Sequence, residues 1–283
     1  MKKFSRHYHV ALTAPSGSID PETVAAGKAV LEKCGCQVSL MPHLFSGGTL
    51  PHLSAVDSER LADINDAIAD ERIDIIWAVR GGAGSMRILD GIDYDGLKKN
   101  GKFFAGFSDI TAIHWAMAKY NCDTFLAAPM MKFLAEAEDD LTADSLTDAL
   151  NGAPVELSLR SLNNADAVSG TPLPGNLAVA ASLCGSGFFP DTAGKILILE
   201  EIGEAPYRID RMLTQLLLAG AFDCCAGIIF GNFTGCGEVP GVTAVLKDFA
   251  NRAACPVFSG AAHGHELPFF SFSGRQQLAV KPC

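Results

Sequence analysis

The apolar positions in the first half of the chain alternate between short continuous runs and runs with helical spacing. Residues 73–79, IDIIWAV, have the length and composition of a buried parallel strand. Before them, Leu61, Ile64 and Ile68 recur at the spacing of an amphipathic helix. This alternation predicts an α/β unit whose parallel sheet has helices on both faces. The predicted strands are 8–14, 37–41, 73–79 and 124–128, and the predicted helices are 21–32, 54–70 and 143–150.

Residues 102–120 predict a strand, a turn and a helix in direct succession. The apolar run KFFA breaks at GFSD, 106–109, and restarts as a helical pattern. Ser108 therefore lies at the turn. Serine and aspartate are also common helix N-caps, because their side chains accept hydrogen bonds from free backbone N–H groups. The local pattern alone thus leaves Ser108 either as a cap or as a functional group.

A change in composition divides the chain into two predicted domains. Residues 151–175 are rich in Asn, Ser, Gly and Pro, which is typical of a connecting segment. We therefore predict an N-terminal domain at 1–150, a linker at 151–175 and a C-terminal domain at 176–283. In the second domain the predicted helices are 176–183, 207–219 and 242–252, and the predicted strands are 195–200, 226–230, 256–259 and 276–280.

Composition and charge narrow the class of protein. With 283 residues, 48% of them hydrophobic, the chain can bury a large core. Its net charge of -10 argues against a nucleic-acid partner, because such binding depends on Lys and Arg neutralising phosphates. We recognise neither a signal peptide nor a membrane span, and the nine cysteines are predicted to be mostly buried free thiols. These features favour a cytoplasmic protein.

The loop RGGAGSMR at 80–87 follows the strand at 73–79 and suggests a nucleotide site. It fails the G-x-G-x-x-G pattern, because Arg87 occupies the third glycine position when the pattern starts at Gly82. A nucleotide-binding α/β protein, for example an oxidoreductase, is therefore only an alternative, and no cofactor is predicted. What the glycines do indicate is a close approach of the backbone, with N–H groups pointing out of a turn.

Two further segments carry candidate chemical groups. His263 and His265 follow the predicted strand 256–259, and a loop after a strand often holds catalytic side chains. The pair also suggests a metal, but no convincing third ligand is present, so no metal is predicted. Glu200 and Glu201 end the apolar run KILILE and are either functional or a solvated strand end. His114, six residues after Ser108, is interpreted as a packing or surface residue.

Five segments together resemble the LD-carboxypeptidase family of serine peptidases, and they span nearly the whole chain in the family's order. They are TAPSG at 13–17, AVRGGAG at 78–84 with Arg87, GFSDIT at 106–111, LEEIGEAPYRIDRML at 199–213 and SGAAHGH at 259–265.

The resemblance implies a catalytic triad shared between the two domains. Ser108 matches the nucleophile, Glu200 the carboxylate that orients the base, and His265 the general base. Glu200 is chosen over Glu201 because it is the first acidic residue after the apolar strand. The N–H of Asp109 and that of Gly81 or Gly82 are then suited to an oxyanion pocket.

The resemblance also implies a substrate and a setting. The substrate is a cell-wall tetrapeptide of peptidoglycan recycling, cut between an L-centred diamino acid and a terminal D-alanine by a cytoplasmic homodimer. Arg80, Arg87, Arg208 and Arg211 are candidates for binding the terminal carboxylate, and Arg211 is the one assigned to substrate binding.

Two other functions are left open. Microcin-type relatives cut an aminoacyl-nucleotide amide and usually carry aromatic stacking residues in the second domain. This chain has only Trp77 and Trp115, both in the first half, which favours the muropeptide. A non-catalytic ligand-binding protein would keep the cleft but would not need Ser108.

Overall fold

The first of two sheets is the predicted parallel sheet. The computed structural model describes residue 4 and residues 6–283. Numbered along the chain, the strands of this sheet are β1 (His9–Thr13), β2 (Gln37–Leu40), β3 (Ile75–Ala78), β4 (Phe103–Gly106), β5 (Phe125–Ala127) and β11 (Phe272–Ser273). They lie in the order β11-β5-β4-β3-β1-β2, and all pairs are parallel except β11 with β5. The prediction of a parallel α/β sheet is confirmed.

Three loops of interest leave the same edge of this sheet. β1, β3 and β4 run parallel and end at Thr13, Ala78 and Gly106. The carboxyl ends of parallel strands meet at one edge, where open α/β sheets hold their ligands. The turn that contains Ser108 therefore lies beside the glycine-rich loop and the TAPSG segment.

The second sheet is a closed barrel. Its strands are β6 (Val155–Ser161), β7 (Val168–Asn176), β8 (Lys195–Ile202), β9 (Gly227–Thr234), β10 (Val257–Ser259) and β12 (Leu278–Pro282). They close in the order β10-β6-β12-β7-β8-β9. The predicted strands at 195–200, 226–230, 256–259 and 276–280 correspond to β8, β9, β10 and β12, with shifts of a few residues at their ends.

The segment 151–175 differs from the predicted linker, because it contains β6 and nearly all of β7. β6 carries a period-two pattern, VELSLRS, that the high content of polar residues concealed. β7 contains Pro172 and Pro174, which have no N–H to donate. The part of β7 that contains the two prolines pairs with β8, whereas β12 pairs only with residues 168–170. The prolines therefore lie where β7 has a strand partner on one side, and no N–H is needed for a partner on the other side.

Helices cover the first sheet and pack against the barrel. They are α1 (Pro21–Lys33), α2 (Asp57–Ala69), α3 (Tyr94–Asn100), α4 (Thr111–Lys119), α5 (Met131–Glu136), α6 (Asp140–Asn151), α7 (Leu177–Ser182), α8 (Pro206–Leu218) and α9 (Val239–Arg252). Asp20 caps α1, accepting a hydrogen bond from the Thr23 N–H at 2.7 Å, and Pro21 is the first helical residue. None of the described helices is long and apolar enough to cross a bilayer.

The second half of the chain also contributes to the first sheet. β11 follows β10 but pairs with β5, so the chain returns from the barrel to the sheet and back to β12. Phe269 and Ser271, just before β11, make hydrogen bonds through their N–H groups to Thr142 Oγ1 (2.9 Å) and Ser145 Oγ (3.1 Å) of α6. The loop after β10 is thereby held against α6 of the N-terminal half.

Candidate active site

Ser108 occupies a sharp turn between β4 and α4. Its φ angle is 63°, in the left-handed region that residues other than glycine rarely adopt. It begins a short 3-10 turn, Ser108–Ile110, and no side-chain cap is present at the start of that turn or of α4. The hydroxyl is therefore not used as a cap. Such strained positions persist where the surrounding structure holds them, often at functional sites.

The Ser108 hydroxyl begins a chain of hydrogen-bond contacts that joins the two halves of the protein. Its Oγ lies 3.0 Å from His265 Nε2, and His265 Nδ1 lies 2.7 Å from Glu200 Oε2. Because a carboxylate only accepts, Nδ1 carries the proton in that contact. Nε2 is then left free to accept the proton of the hydroxyl. His265 thus lies within hydrogen-bond distance of both other side chains predicted for the triad.

Asn176 bridges the two adjacent carboxylates, Glu200 and Glu201. Its Nδ2 donates to Glu200 Oε1 at 3.2 Å and to Glu201 Oε1 at 3.0 Å. Glu201 also accepts from the N–H groups of Ala178 and Ile202, both at 2.8 Å. Burial raises the pKa of Glu201. Both side chains are buried, but it is Glu200 that faces the imidazole.

The two histidines of the loop after β10 have different surroundings. His263 is buried, donates from Nδ1 to the Phe270 carbonyl at 2.8 Å, and packs against Phe269. Burial lowers the pKa of His263 and so favours the neutral ring. Gly264 between them has a φ of 139°, and a Cβ there would lie 3.1 Å from Glu200 Oε2. A glycine at this position lets the loop approach the carboxylate.

Asp109 ties three loops together. Its Oδ2 accepts from Ser16 Oγ at 2.6 Å and from the Ser85 N–H at 2.9 Å. Its backbone carbonyl accepts from Ser85 Oγ at 2.6 Å. Ser16 and Ser85 were not singled out from the sequence, although both lie in or beside the segments that carry the family resemblance. These contacts hold the turn of Ser108 in its strained conformation.

The glycine-rich loop approaches the turn closely at Gly81. A Cβ on Gly81 would lie 2.9 Å from Ser108 Cβ and 3.3 Å from the Asp109 nitrogen, so a larger residue requires the turn to shift. The Gly81 carbonyl accepts from the Gly17 N–H at 3.0 Å. Gly82 has a φ of 111°. The backbones of Gly81 and Asp109 therefore border the same space beside Ser108.

A cavity of about 350 Å³ opens over Ser108 and His265. Its apolar walls come from both halves of the chain, with Ile202 contributed by β8 of the barrel. Two cationic side chains, Arg80 and Lys132, line it as well. Lys132 and the apolar residues were missed at the sequence level, because no local pattern distinguishes them. The lining residues are Arg80, Gly81, Gly82, Phe107, Ser108, Met130, Lys132, Phe133, Ile202 and His265.

The structure separates the four arginines proposed for carboxylate binding. Arg87 forms a two-pronged pair with Asp57, with Nε 3.0 Å from Oδ1 and Nη2 2.7 Å from Oδ2. Arg208 contacts Tyr207, its neighbour in α8, and Glu204, which lies just before that helix. Arg211 lies over the Tyr207 ring and lines a separate cavity formed by α8. It is not among the residues that line the cavity over Ser108. Of the four, Arg80 is the one that lines the cavity over Ser108.

The structure bears on a metal site and on the role of His114. Over residue 4 and residues 6–283, no group of three or more His, Cys, Asp or Glu side chains is arranged to hold a metal ion. His114 is fully buried and donates from Nε2 to the Phe104 carbonyl at 2.9 Å. Burial lowers the pKa of His114 to about 4. It is a packing residue, one of the two interpretations offered for it.

Similarity to known proteins identifies the family. The models of the LD-carboxypeptidase N-terminal and C-terminal domains match residues 10–127 and 169–276. A protein named probable murein peptide carboxypeptidase from Bacillus subtilis (strain 168) is 32% identical over 270 residues, which are 92% of this chain and 84% of that relative. The chain belongs to the LD-carboxypeptidase family. It is therefore a peptidase, as the resemblance implied.

Solved structures agree with this assignment. The crystal structure of muramoyltetrapeptide carboxypeptidase from Oxalobacter formigenes superposes with a TM-score of 0.82 at 27% identity, covering 94% of this chain and 92% of that one. The microcin C7 self-immunity protein MccF, in complex with aspartyl sulfamoyl adenosine, superposes with a TM-score of 0.83 at 20% identity, covering 99% and 95%. The second likeness concerns the fold alone. Both support the two-domain α/β architecture of this LD-carboxypeptidase family member.

Proposed function

We propose that this peptidase is a serine LD-carboxypeptidase that removes the terminal D-alanine from cell-wall muropeptide tetrapeptides. The observation that carries the proposal is the chain of contacts from Ser108 through His265 to Glu200. A serine hydroxyl is a weak nucleophile until an adjacent base takes its proton, and a third group must orient that base. The three side chains have the order and the spacing that this chemistry requires.

In the first half of the reaction, Ser108 Oγ attacks the carbonyl carbon before the terminal D-alanine, and its proton passes to His265 Nε2. The carbonyl oxygen becomes an oxyanion that accepts hydrogen bonds from the N–H of Asp109 and that of Gly81 or Gly82. Glu200 stabilises the imidazolium through Nδ1–H. His265 then donates the proton to the leaving nitrogen, D-alanine departs, and an acyl-enzyme remains.

In the second half, water takes the place of the amine. His265 Nε2 removes a proton from the water, which attacks the ester carbonyl. The oxyanion that forms accepts the same N–H hydrogen bonds as in the first half. Collapse of this intermediate returns the proton to Ser108 Oγ and releases the shortened peptide as a carboxylic acid. No redox change occurs and no cofactor enters, so the residues of the chain suffice.

The names of the relatives and the shape of the cavity support a muropeptide substrate. The Bacillus subtilis and Oxalobacter formigenes proteins are named as murein peptide and muramoyltetrapeptide carboxypeptidases. Phe107, Met130, Phe133 and Ile202 provide apolar walls against which the aliphatic stem of a diamino acid can pack.

The fold similarity to MccF favours a second candidate, hydrolysis of an aminoacyl-nucleotide amide. Such a substrate calls for an aromatic face to stack on its base. Trp77 and Trp115 are fully buried, and their indole N–H groups donate to the carbonyls of Pro129 and Pro174 at 3.1 and 3.0 Å. Neither tryptophan is available for stacking. The aromatic side chains that line the cavity are Phe107 and Phe133, so the preference for the muropeptide rests on the names of the relatives.

Mass spectrometry of muropeptides incubated with the protein tests the proposal. We expect tetrapeptides to become tripeptides, and Ser108→Ala to lower the rate by several powers of ten, because removal of a triad member usually does so. A matched incubation with an aspartyl sulfamoyl nucleoside tests the second candidate. Full activity of folded Ser108→Ala would contradict the mechanism, and cleavage of the nucleoside conjugate alone would contradict the substrate. Cytoplasmic location, homodimer formation and a place in peptidoglycan recycling stay predictions.

A further inference from the structure

We propose that Arg80 binds the terminal carboxylate of the substrate and so restricts this enzyme to a residue at a free C-terminus. The inference rests on the proposed function, because it assigns a recognition group within the same site. An exopeptidase must distinguish a chain end from an internal amide. A cation placed one residue beyond the bond that is cut can make that distinction by charge.

The position of Arg80 suits the length of a terminal residue. Arg80 directly precedes Gly81, the residue whose backbone approaches Ser108 and Asp109. In the substrate, bonds of about 1.3, 1.5 and 1.5 Å connect the carbon under attack to the terminal carboxyl carbon, so these atoms lie within about 4 Å of each other. A carbonyl held at Ser108 therefore brings the carboxylate close to the loop that carries Arg80.

The guanidinium is held in place yet keeps donors for a ligand. Arg80 Nη1 donates to the Ser18 carbonyl at 2.5 Å, and its Nε would lie 3.8 Å from a Cβ built on Gly17. This anchors the side chain against the loop after β1. A guanidinium has five N–H donors, and two of them can form parallel bonds to a carboxylate. A guanidinium that is already anchored loses less conformational entropy when it binds a carboxylate.

The other cation of the cavity is less suited to this task. Arg80 and Lys132 are both exposed, but Lys132 Nζ lies 3.9 Å from Glu136 Oε1, one helical turn away on α5. An ammonium at the end of a flexible stem acts as a point charge and does not fix the orientation of a carboxylate. We therefore assign carboxylate recognition to Arg80, and Lys132 serves as its comparison within the cavity.

The experiment uses two tetrapeptides that differ only at the C-terminal D-alanine, one with a free carboxylate and the other with a carboxamide. The measured quantity is the ratio of kcat/KM for the acid to that for the amide. In Arg80→Gln we expect the ratio to fall about 10- to 100-fold, the usual effect of losing charge-assisted hydrogen bonds. Arg80→Lys should keep part of the preference, because it restores the charge without the fork.

Two variants serve as controls, and thermal unfolding verifies that every variant is folded. Arg87→Gln removes an arginine that is paired with Asp57, and Lys132→Gln removes the second cation of the cavity. Both should retain the wild-type ratio. An unchanged ratio in Arg80→Gln, a fall in Lys132→Gln instead, or equal cleavage of acid and amide by the wild type would overturn the assignment and leave the proposed function standing. If the wild type cleaves neither peptide, the proposed function fails, and the assignment fails with it.

Discussion

Replacing Glu200 by glutamine should remove most of the activity while preserving the shape of the site. Glu200 Oε2 accepts from His265 Nδ1 at 2.7 Å, and Oε1 accepts from Asn176 Nδ2 at 3.2 Å. The glutamine amide has one oxygen and one NH₂ group, so one of these contacts must become unfavourable. If the NH₂ group faces His265, Nδ1 must become an acceptor. The ring proton then moves to Nε2, which can no longer take the proton of Ser108.

If the NH₂ group faces Asn176 instead, two donors meet in a buried site, which costs about 1–3 kcal/mol. In both orientations the imidazolium loses its negative partner. In other triad enzymes, replacing the carboxylate by its amide lowers kcat by about 10⁴-fold, which is about 5 kcal/mol on the barrier. We expect a loss of about 10³- to 10⁴-fold in kcat for release of D-alanine by Glu200→Gln.

Glu201→Gln is the matched control. Both oxygens of Glu201 accept hydrogen bonds from N–H groups, so the amide should lower the free energy of unfolding by about 1–3 kcal/mol. Its kcat should fall far less, because Glu201 does not contact His265. The assay is D-alanine release at saturating tetrapeptide, with thermal unfolding measured in parallel. A kcat of folded Glu200→Gln within ten-fold of the wild type, or equal losses in the two variants, would refute the role given to Glu200.

Two further predictions concern the loop after β10 and the response to pH. Gly264→Ala should lower both kcat and stability, because the added Cβ would lie 3.1 Å from Glu200 Oε2. Gly260 has a φ of 104° and open space around it, so Gly260→Ala should lower only stability. Equal kcat losses in the two variants would argue against the contact. The pKa of His114 falls from 6.5 to about 4 on folding, so stability should decrease as the pH drops through this window, by up to about 3 kcal/mol. In chemical unfolding at several pH values His114→Gln should show a weaker dependence, and an identical slope would contradict the assignment.

The first sheet could be read from the sequence because its signals are local. Within the run at 73–79, residues 75–79 are all apolar, as a strand covered on both faces must be, and the structure buries every residue of β3. Asp20 and Pro21 mark the start of α1 by their own side-chain chemistry. The barrel was harder to foresee. β7 has the composition of a loop, and only its one-sided pairing makes Pro172 and Pro174 acceptable in a strand.

The sequence by itself determined which residues can perform the chemistry, and the tertiary structure decided how they are used. Ser108, Glu200 and His265 were selected by segment resemblance, but 157 positions separate the serine from the histidine it meets. The choice of Glu200 over Glu201 depends on which carboxylate faces His265, and the choice of Arg80 over Arg211 depends on which cavity each side chain lines. Hydrophobic periodicity and capping act over a few residues and are visible in the chain. Hydrogen-bond geometry between distant segments arises only when sheet and barrel pack together.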